Sequence, residues 1–193
     1  SSEKFTVIDY QEGLNGQLLV GDYSYNKNVD RILFINRMGQ TWVNKSNNFS
    51  TWSYPTLVTA LGSMYKPNSN VLILGLGGGI LAKNMRELAR HRVDAVEFDK
   101  RIINIAYDHF QLPKFGVKVY HEDARLYLNK CEKKYDVIVF DAFKGEVVPS
   151  HLMSVEAFQR AKGCLNKNGV MILNFNGFVS GEEGKSGLAL LNT

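Results

Sequence analysis

"LILGLGGGILAKNM", residues 72–85, passes from an apolar run of strand character, through four glycines in five positions, into a stretch of helix character. A backbone this bare suits a tight turn against which a ligand can press, beside the N–H groups that open the next helix. The competing demand on such glycines is close packing of strand against helix. Their surroundings weigh one demand against the other.

Outward from this stretch, "VLILG" (71–75), "VDAVEF" (93–98), "VKVYH" (117–121), "YDVIVFD" (135–141) and "GVMILNF" (169–175) are short apolar runs rich in Val and Ile. Helix-like segments separate them. In 80–90, Leu81, Met85, Leu88 and Ala89 share a face; in 154–165, Val155, Phe158 and Leu165 do. Strands alternating with helices imply βαβ units, and near-continuous apolar strands imply a parallel sheet covered on both faces. The fold class is therefore α/β, a doubly wound, mostly parallel sheet.

Residues 1–52 read differently, as a small β-rich N-terminal piece. "KFTVIDY" and "QLLVGDY" flank Asn15-Gly16, a dipeptide suited to a tight hairpin. "RILFIN" and "QTWVN" flank a break at Arg37-Met38-Gly39. From Ser53 a helix is expected, with Pro55 in its first turn and Leu57, Ala60, Leu61 and Met64 on one side. The α/β unit then occupies 53–193.

With 193 residues, 45% hydrophobic and 22% charged, the chain can bury one domain with a small appendage. The formal charge of +4 comes from basic residues scattered among acids, without the basic stripe that nucleic-acid binding needs. The longest nearly uncharged apolar run, Val71 to Ala82, is 12 residues, too short for a membrane span. With no secretory signal visible, a cytoplasmic location is expected. The start at Ser1-Ser2 leaves room for a larger protein of which this is one domain. Cys131 and Cys164 form no CxxC pattern, so two ordinary thiols and no metal site are expected.

In a doubly wound sheet, ligands lie beyond the carboxyl ends of the strands. Gly75, Gly77, Gly78 and Gly79 sit at such an end. A dinucleotide fingerprint starting at Gly75 requires glycine at position 80, where Ile80 stands. Glu97, ending the second strand of the unit, can accept hydrogen bonds from ribose hydroxyls. Asp123 follows the third strand and Asp141 ends the fourth. Three successive strands ending in carboxylates suit a nucleoside carrying a positive sulfonium better than a dinucleotide. Asp123 can equally cap the helix that opens at Ala124.

Together, "VLILGLGGG", "VDAVEFDKRIINIAYDHFQLP", "VKVYHEDARLYL" and "YDVIVFDAFKGEVVPSHLMSVEAFQRAKGCLNKNGVMILN" resemble spermidine synthases and their methyltransferase-like relatives. The resemblance extends over about residues 1–175, including "INRMGQ" in the N-terminal piece. It implies the class I methyltransferase type of sheet, binding S-adenosylmethionine (AdoMet) or its decarboxylated form, with no metal. By the same resemblance, Gly75 to Gly79 line the donor's tail, Glu97 binds the ribose, and Asp123 and Ala124 face the adenine. Asp141 lies beside the transferring group as the catalytic residue. Gln40 and Tyr54 close the substrate pocket, and Phe143 and Lys144 follow Asp141 on the acceptor side. Family members associate through the N-terminal β piece, which implies a homodimer.

The departures from the pattern shape the functional reading. Gly78 stands where the family carries an aspartate, Ile80 replaces its last glycine, Lys144 stands at a second acid, and Thr56 at another acidic position. Loss of the loop acid would admit the carboxylate of intact AdoMet; Lys144 would repel a polyamine if it points inward. The chain also ends before the last two strands of the usual seven. The leading expectation is a spermidine-synthase-like transferase moving an alkyl group to an unidentified small-molecule acceptor. The alternatives are an orthodox polyamine aminopropyltransferase, an AdoMet-dependent methyltransferase, or a non-catalytic donor-binding scaffold.

Overall fold

The computed structural model describes residues 3–114, 116–142 and 152–174. The N-terminal part is an antiparallel meander of β1 (Lys4–Gly13), β2 (Gly16–Tyr25), β3 (Asn28–Ile35) and β4 (Met38–Asn44), in that order. After α1 (Tyr54–Gly62), β5 (Asn70–Leu74), β6 (Arg92–Glu97), β7 (Val117–His121), β8 (Tyr135–Phe140) and β9 (Leu165–Leu173) form a second, five-stranded sheet. Its order is β7-β6-β5-β8-β9 and every neighbouring pair is parallel. Helices α2 (Ile80–Glu87), α3 (Lys100–Phe110), α4 (Ala124–Asn129) and α5 (Val155–Cys164) make the connections.

Strand alternation divides the core. Val71, Ile73, Val93, Ala95, Val137 and Val139 face α1, α2 and α3, meeting Val58, Met85 and Ala106. Leu72, Leu74, Ile138 and Phe140 face α4 and α5, meeting Leu128, Ala161 and Cys164. Both faces are covered, as the continuous apolar strands require. A third cluster joins Leu18, Val20 and Leu33 of the meander to Ile80, Ile102 and Phe110 at α2 and α3. Polar ties reinforce this seam: Arg31 Nη1 donates to the His109 carbonyl at 3.2 Å, and Arg101 Nη1 to the Gly16 carbonyl at 3.1 Å.

Several local expectations need correcting. In the first hairpin Gly13 pairs with Gly16, so the loop is Leu14-Asn15, and of the Asn15-Gly16 dipeptide only Gly16 uses positive φ (102°). The second turn is Asn36-Arg37, with φ 49° and 70°, because Met38 already pairs with Ile35. Leu57, Leu61 and Met64 of the α1 segment are exposed; the buried face is Pro55, Val58, Thr59 and Gly62. A Cβ on Gly62 would lie 2.6 Å from Met85 Sδ, so α1 lies too close to α2 for a bulky residue there. Leu88 and Val155 are exposed as well, and α5 buries Ala157, Ala161 and Cys164. Small side chains let helices sit close on the sheet, and large apolar ones are displaced to the flanks. No helix among the described residues is long and apolar enough to cross a membrane.

Candidate functional site

The order of strands reverses between β5 and β8, successive strands being added to one side of β5 and then to the other, and the carboxyl ends of these two parallel strands define the switch point where a crevice opens. The strand ends remain laced beyond the sheet. Gly75 N donates to the Val96 carbonyl (2.8 Å), Asp141 N to the Leu74 carbonyl (2.9 Å), Glu122 N to the Glu97 carbonyl (3.0 Å) and Asn174 N to the Phe140 carbonyl (2.9 Å). This lacing sets Glu97, Asp141 and Asn174 side by side along one edge. Above them lies a cavity of about 580 Å³, roofed by the meander and the start of α1.

The glycines divide their labour. Gly75 and Gly77 line the cavity. Gly75 has φ 102°, and a Cβ there would stand 2.4 Å from the Asp141 carbonyl oxygen, so the bare position lets the chain cross after β8. Gly78 and Gly79 lie behind the wall. A Cβ on Gly78 would meet Thr41 Cγ2 at 2.6 Å, and one on Gly79 would meet Leu112 Cδ1 at 2.7 Å. Packing accounts for these two. The loop's N–H groups are also largely spent: Gly75 on Val96, Leu76 on Glu97 Oε2 (3.2 Å), Gly78 on Thr41 Oγ1 (2.8 Å) and Gly79 on the Leu76 carbonyl (2.8 Å).

Glu97 is buried, its Oε1 accepting from Asp99 N at 2.9 Å. Burial pushes its carboxyl up to about 7, against the pull of those backbone N–H groups. Asp141 accepts from Asn174 Nδ2 at 2.7 Å and faces the Tyr54 hydroxyl at 3.5 Å. Atoms packed round its carboxyl push it up to about 6, against both hydrogen bonds. The same burial, with Asp141 beside it, holds the Tyr54 phenol neutral. Two carboxyls displaced upward in one cleft are a recognised mark of a functional site.

Asp123 caps α4, accepting from Arg125 N (2.8 Å) and Leu126 N (3.1 Å), and also lines the cavity with Ala124. Capping and ligand contact thus coexist at this residue. Gln40 reaches the cavity through a bulge: Leu33 pairs with Thr41 and Phe34 with Gly39, leaving Gln40 as the extra residue. Phe143 and Lys144 lie outside the described residues. Five carboxylates line the cavity, those of Glu97, Asp99, Glu122, Asp123 and Asp141, and no Lys, Arg or His does among the described residues. No described group of three or more His, Cys, Asp or Glu is placed to hold a metal.

Sequence reasoning passed over Thr41, Trp52 and Asn174. Asn174 stands at the end of a strand, where the rule that picked out the acids applies equally, but it carries no charge. Trp52 lies two residues from Tyr54, their rings 6.2 Å apart. Thr41 carried no signal, since its contact with Gly78 arises only from docking of the meander.

Residues 52–180 match the spermine/spermidine synthase domain. A polyamine aminopropyltransferase of Vibrio vulnificus (strain CMCP6) is 37% identical over 124 residues, covering 61% of this chain and 41% of that one. A probable spermidine synthase from Corynebacterium glutamicum ATCC 13032 superposes with a TM-score of 0.73 at 20% identity, over 86% of this chain and 62% of that one. Human methyltransferase-like protein 13, solved with SAH, gives 0.61 at 22% identity, over 73% and 71%. The α/β class and the methyltransferase-like sheet expected from the sequence are thereby shown. This chain spans less than half the length of the Vibrio relative.

Proposed function

The chain belongs to the spermine/spermidine synthase family, and from that premise we propose that it acts as a polyamine aminopropyltransferase, using decarboxylated AdoMet as donor and an aliphatic amine as acceptor. This moves the orthodox alternative ahead of an undefined alkyl transfer, because the aligned relative is named an aminopropyltransferase. The observation that carries the reading is the lining of the cavity: five acidic side chains, of which Asp99 is paired with Arg101 and Glu122 with Lys130, and no Lys, Arg or His among the described lining residues. Such a wall attracts a sulfonium donor and a polycationic acceptor and repels a donor carboxylate.

The loop supports the same choice. Gly78 lies behind the cavity wall, so the loop could seat a donor carboxylate only through its N–H groups. Four of the loop's N–H groups are already engaged by the protein. Intact AdoMet therefore finds a poor seat for its carboxylate, and the decarboxylated donor loses nothing.

In this reading Glu97 accepts from the ribose hydroxyls, and Asp123 and Ala124 face the adenine. Gln40 and Tyr54 close the acceptor side. The donor supplies a sulfonium whose neighbouring carbon takes the amine's lone pair while the carbon–sulfur pair leaves on sulfur. Asp141 sits where it can accept the proton that the attacking nitrogen sheds, and its raised pKa suits a base working near neutrality. Orientation in the closed cavity supplies the remaining advantage.

Calorimetric titration with both donors, followed by chromatographic assay of products with short aliphatic diamines, tests the proposal. Decarboxylated AdoMet should bind at least about tenfold tighter, a difference of about 1.4 kcal/mol, and an extended polyamine should appear. Tighter binding of intact AdoMet with methylated products would overturn it in favour of methyl transfer.

A further inference from the structure

The Asp141 carboxylate is held unequally on its two oxygens. Oδ1 accepts from Asn174 Nδ2 at 2.7 Å, and the Tyr54 hydroxyl stands 3.5 Å from Oδ2. The main chain at Asn174 is itself anchored, its backbone N–H donating to the Phe140 carbonyl at 2.9 Å, which holds the residue beside the end of β8.

An amide N–H is a donor only, so a proton on Oδ1 either takes that oxygen's remaining lone pair and weakens it as an acceptor, or forces the Asn174 amide to turn its carbonyl inward. The phenol of Tyr54 is different, because a hydroxyl can rotate to accept as readily as to donate. Oδ2 can therefore take a proton with the Asn174 bond intact, whereas a proton on Oδ1 weakens that bond or requires the amide to turn. We infer that Asn174 is a positioning residue: it pins Oδ1 as an acceptor and leaves Oδ2 as the oxygen that receives the proton from the attacking amine. The step balances: nitrogen's lone pair forms the new carbon–nitrogen bond, the carbon–sulfur pair leaves on sulfur, and the proton shed by nitrogen passes to Oδ2. This inference rests on Asp141 serving as the proton acceptor.

Asn174 also favours the ionised carboxylate, countering burial. The other groups bearing on the titration are Tyr54 from α1 and, around the cavity, the acids Glu97, Asp99, Glu122 and Asp123. None of these acids is a cation able to substitute for the amide donor.

In the wild-type chain, the side-chain amide proton resonances of Asn174 should titrate with the same midpoint as the carbon-13 carboxyl signal of Asp141. Asn174→Leu should raise that carboxyl midpoint by about one pH unit, and Asn174→Asp, which places a second acid there, should raise the midpoint of the pair further. The acid limb of aminopropyl transfer should move with it while the dissociation constant of decarboxylated AdoMet stays within about twofold. Asn174 amide resonances that ignore the Asp141 titration, or an unmoved carboxyl midpoint in a folded variant, would overturn the inference. Linked titration in a chain that transfers no aminopropyl group would uphold the coupling, while removing both the aminopropyltransferase reading and the proton-accepting role.

Discussion

Thr41 Oγ1 accepts a hydrogen bond from the Gly78 backbone N–H at 2.8 Å, joining the N-terminal meander to the glycine loop of the α/β sheet. Thr41 is buried and Gly78 presents no side chain, so the Thr41 side chain fills the space that a Cβ on Gly78 would need. The cavity roof is fastened to its floor at this point.

Removing the acceptor should be costly. Thr41→Val keeps the shape but strands a buried N–H, at a cost of about 1–3 kcal/mol. Urea unfolding followed by the fluorescence of Trp42 and Trp52 should show the loss, and donor affinity should fall with it. Unchanged unfolding would mean that the seam is held by the apolar cluster alone.

Glu97 makes donor binding depend on pH. Its folded pKa of about 7 lies above the ordinary 4.5. Between those values the unfolded chain releases a proton that the folded chain keeps, so Glu97 lowers stability as pH rises through that window. Ribose hydroxyls donate to the ionised form, so donor affinity moves the other way and strengthens toward pH 7. Calorimetry should find the dissociation constant rising about tenfold per unit well below pH 7, and a flat profile in Glu97→Gln. A flat wild-type profile would remove the ribose role.

Asp141→Asn tests chemistry apart from binding. The amide fills the same space but cannot take the proton. Transfer should fall about 10²–10⁴-fold, with the donor's dissociation constant nearly unchanged. Equal losses in binding and turnover would assign Asp141 to donor attraction instead.

A control lies at the opposite edge of the same sheet. Tyr135 donates to the buried Asp94 Oδ2 at 2.7 Å, where Lys133 Nζ also donates at 2.9 Å. Tyr135→Phe should cost about 1–3 kcal/mol by the same urea assay, yet leave donor affinity alone. A coupled loss of binding would show that strain at the foot of the sheet reaches the cavity.

Much of the candidate site is legible in the sequence because it follows from position along the strands. Apolar runs located the strands, parallel pairing implied that ligands gather at their carboxyl ends, and Glu97, Asp123 and Asp141 stand at those ends. Asn174 stands at such an end too but carries no charge, the signal that marks the three acids. The helices were read less well. Leu57, Leu61 and Leu88 look like core residues by hydropathy, yet all three are exposed. Helix-to-helix distance, which hydropathy does not encode, selects Gly62 and Ala161 for the inner faces.

The amino-acid order alone specified a parallel sheet, a bare turn after β5 and acids along one edge, because strand period and turn chemistry are local properties. Docking specified the rest. Gly78 and Gly79 serve packing rather than the cavity, since Thr41 and Leu112, distant in sequence, occupy the space their side chains would need. Gln40 reaches the cavity through a register shift between β3 and β4, and Asp141 acquires its raised pKa from the atoms packed around it. Desolvation and close approach depend on what the folded chain brings from elsewhere, and no window of sequence contains that.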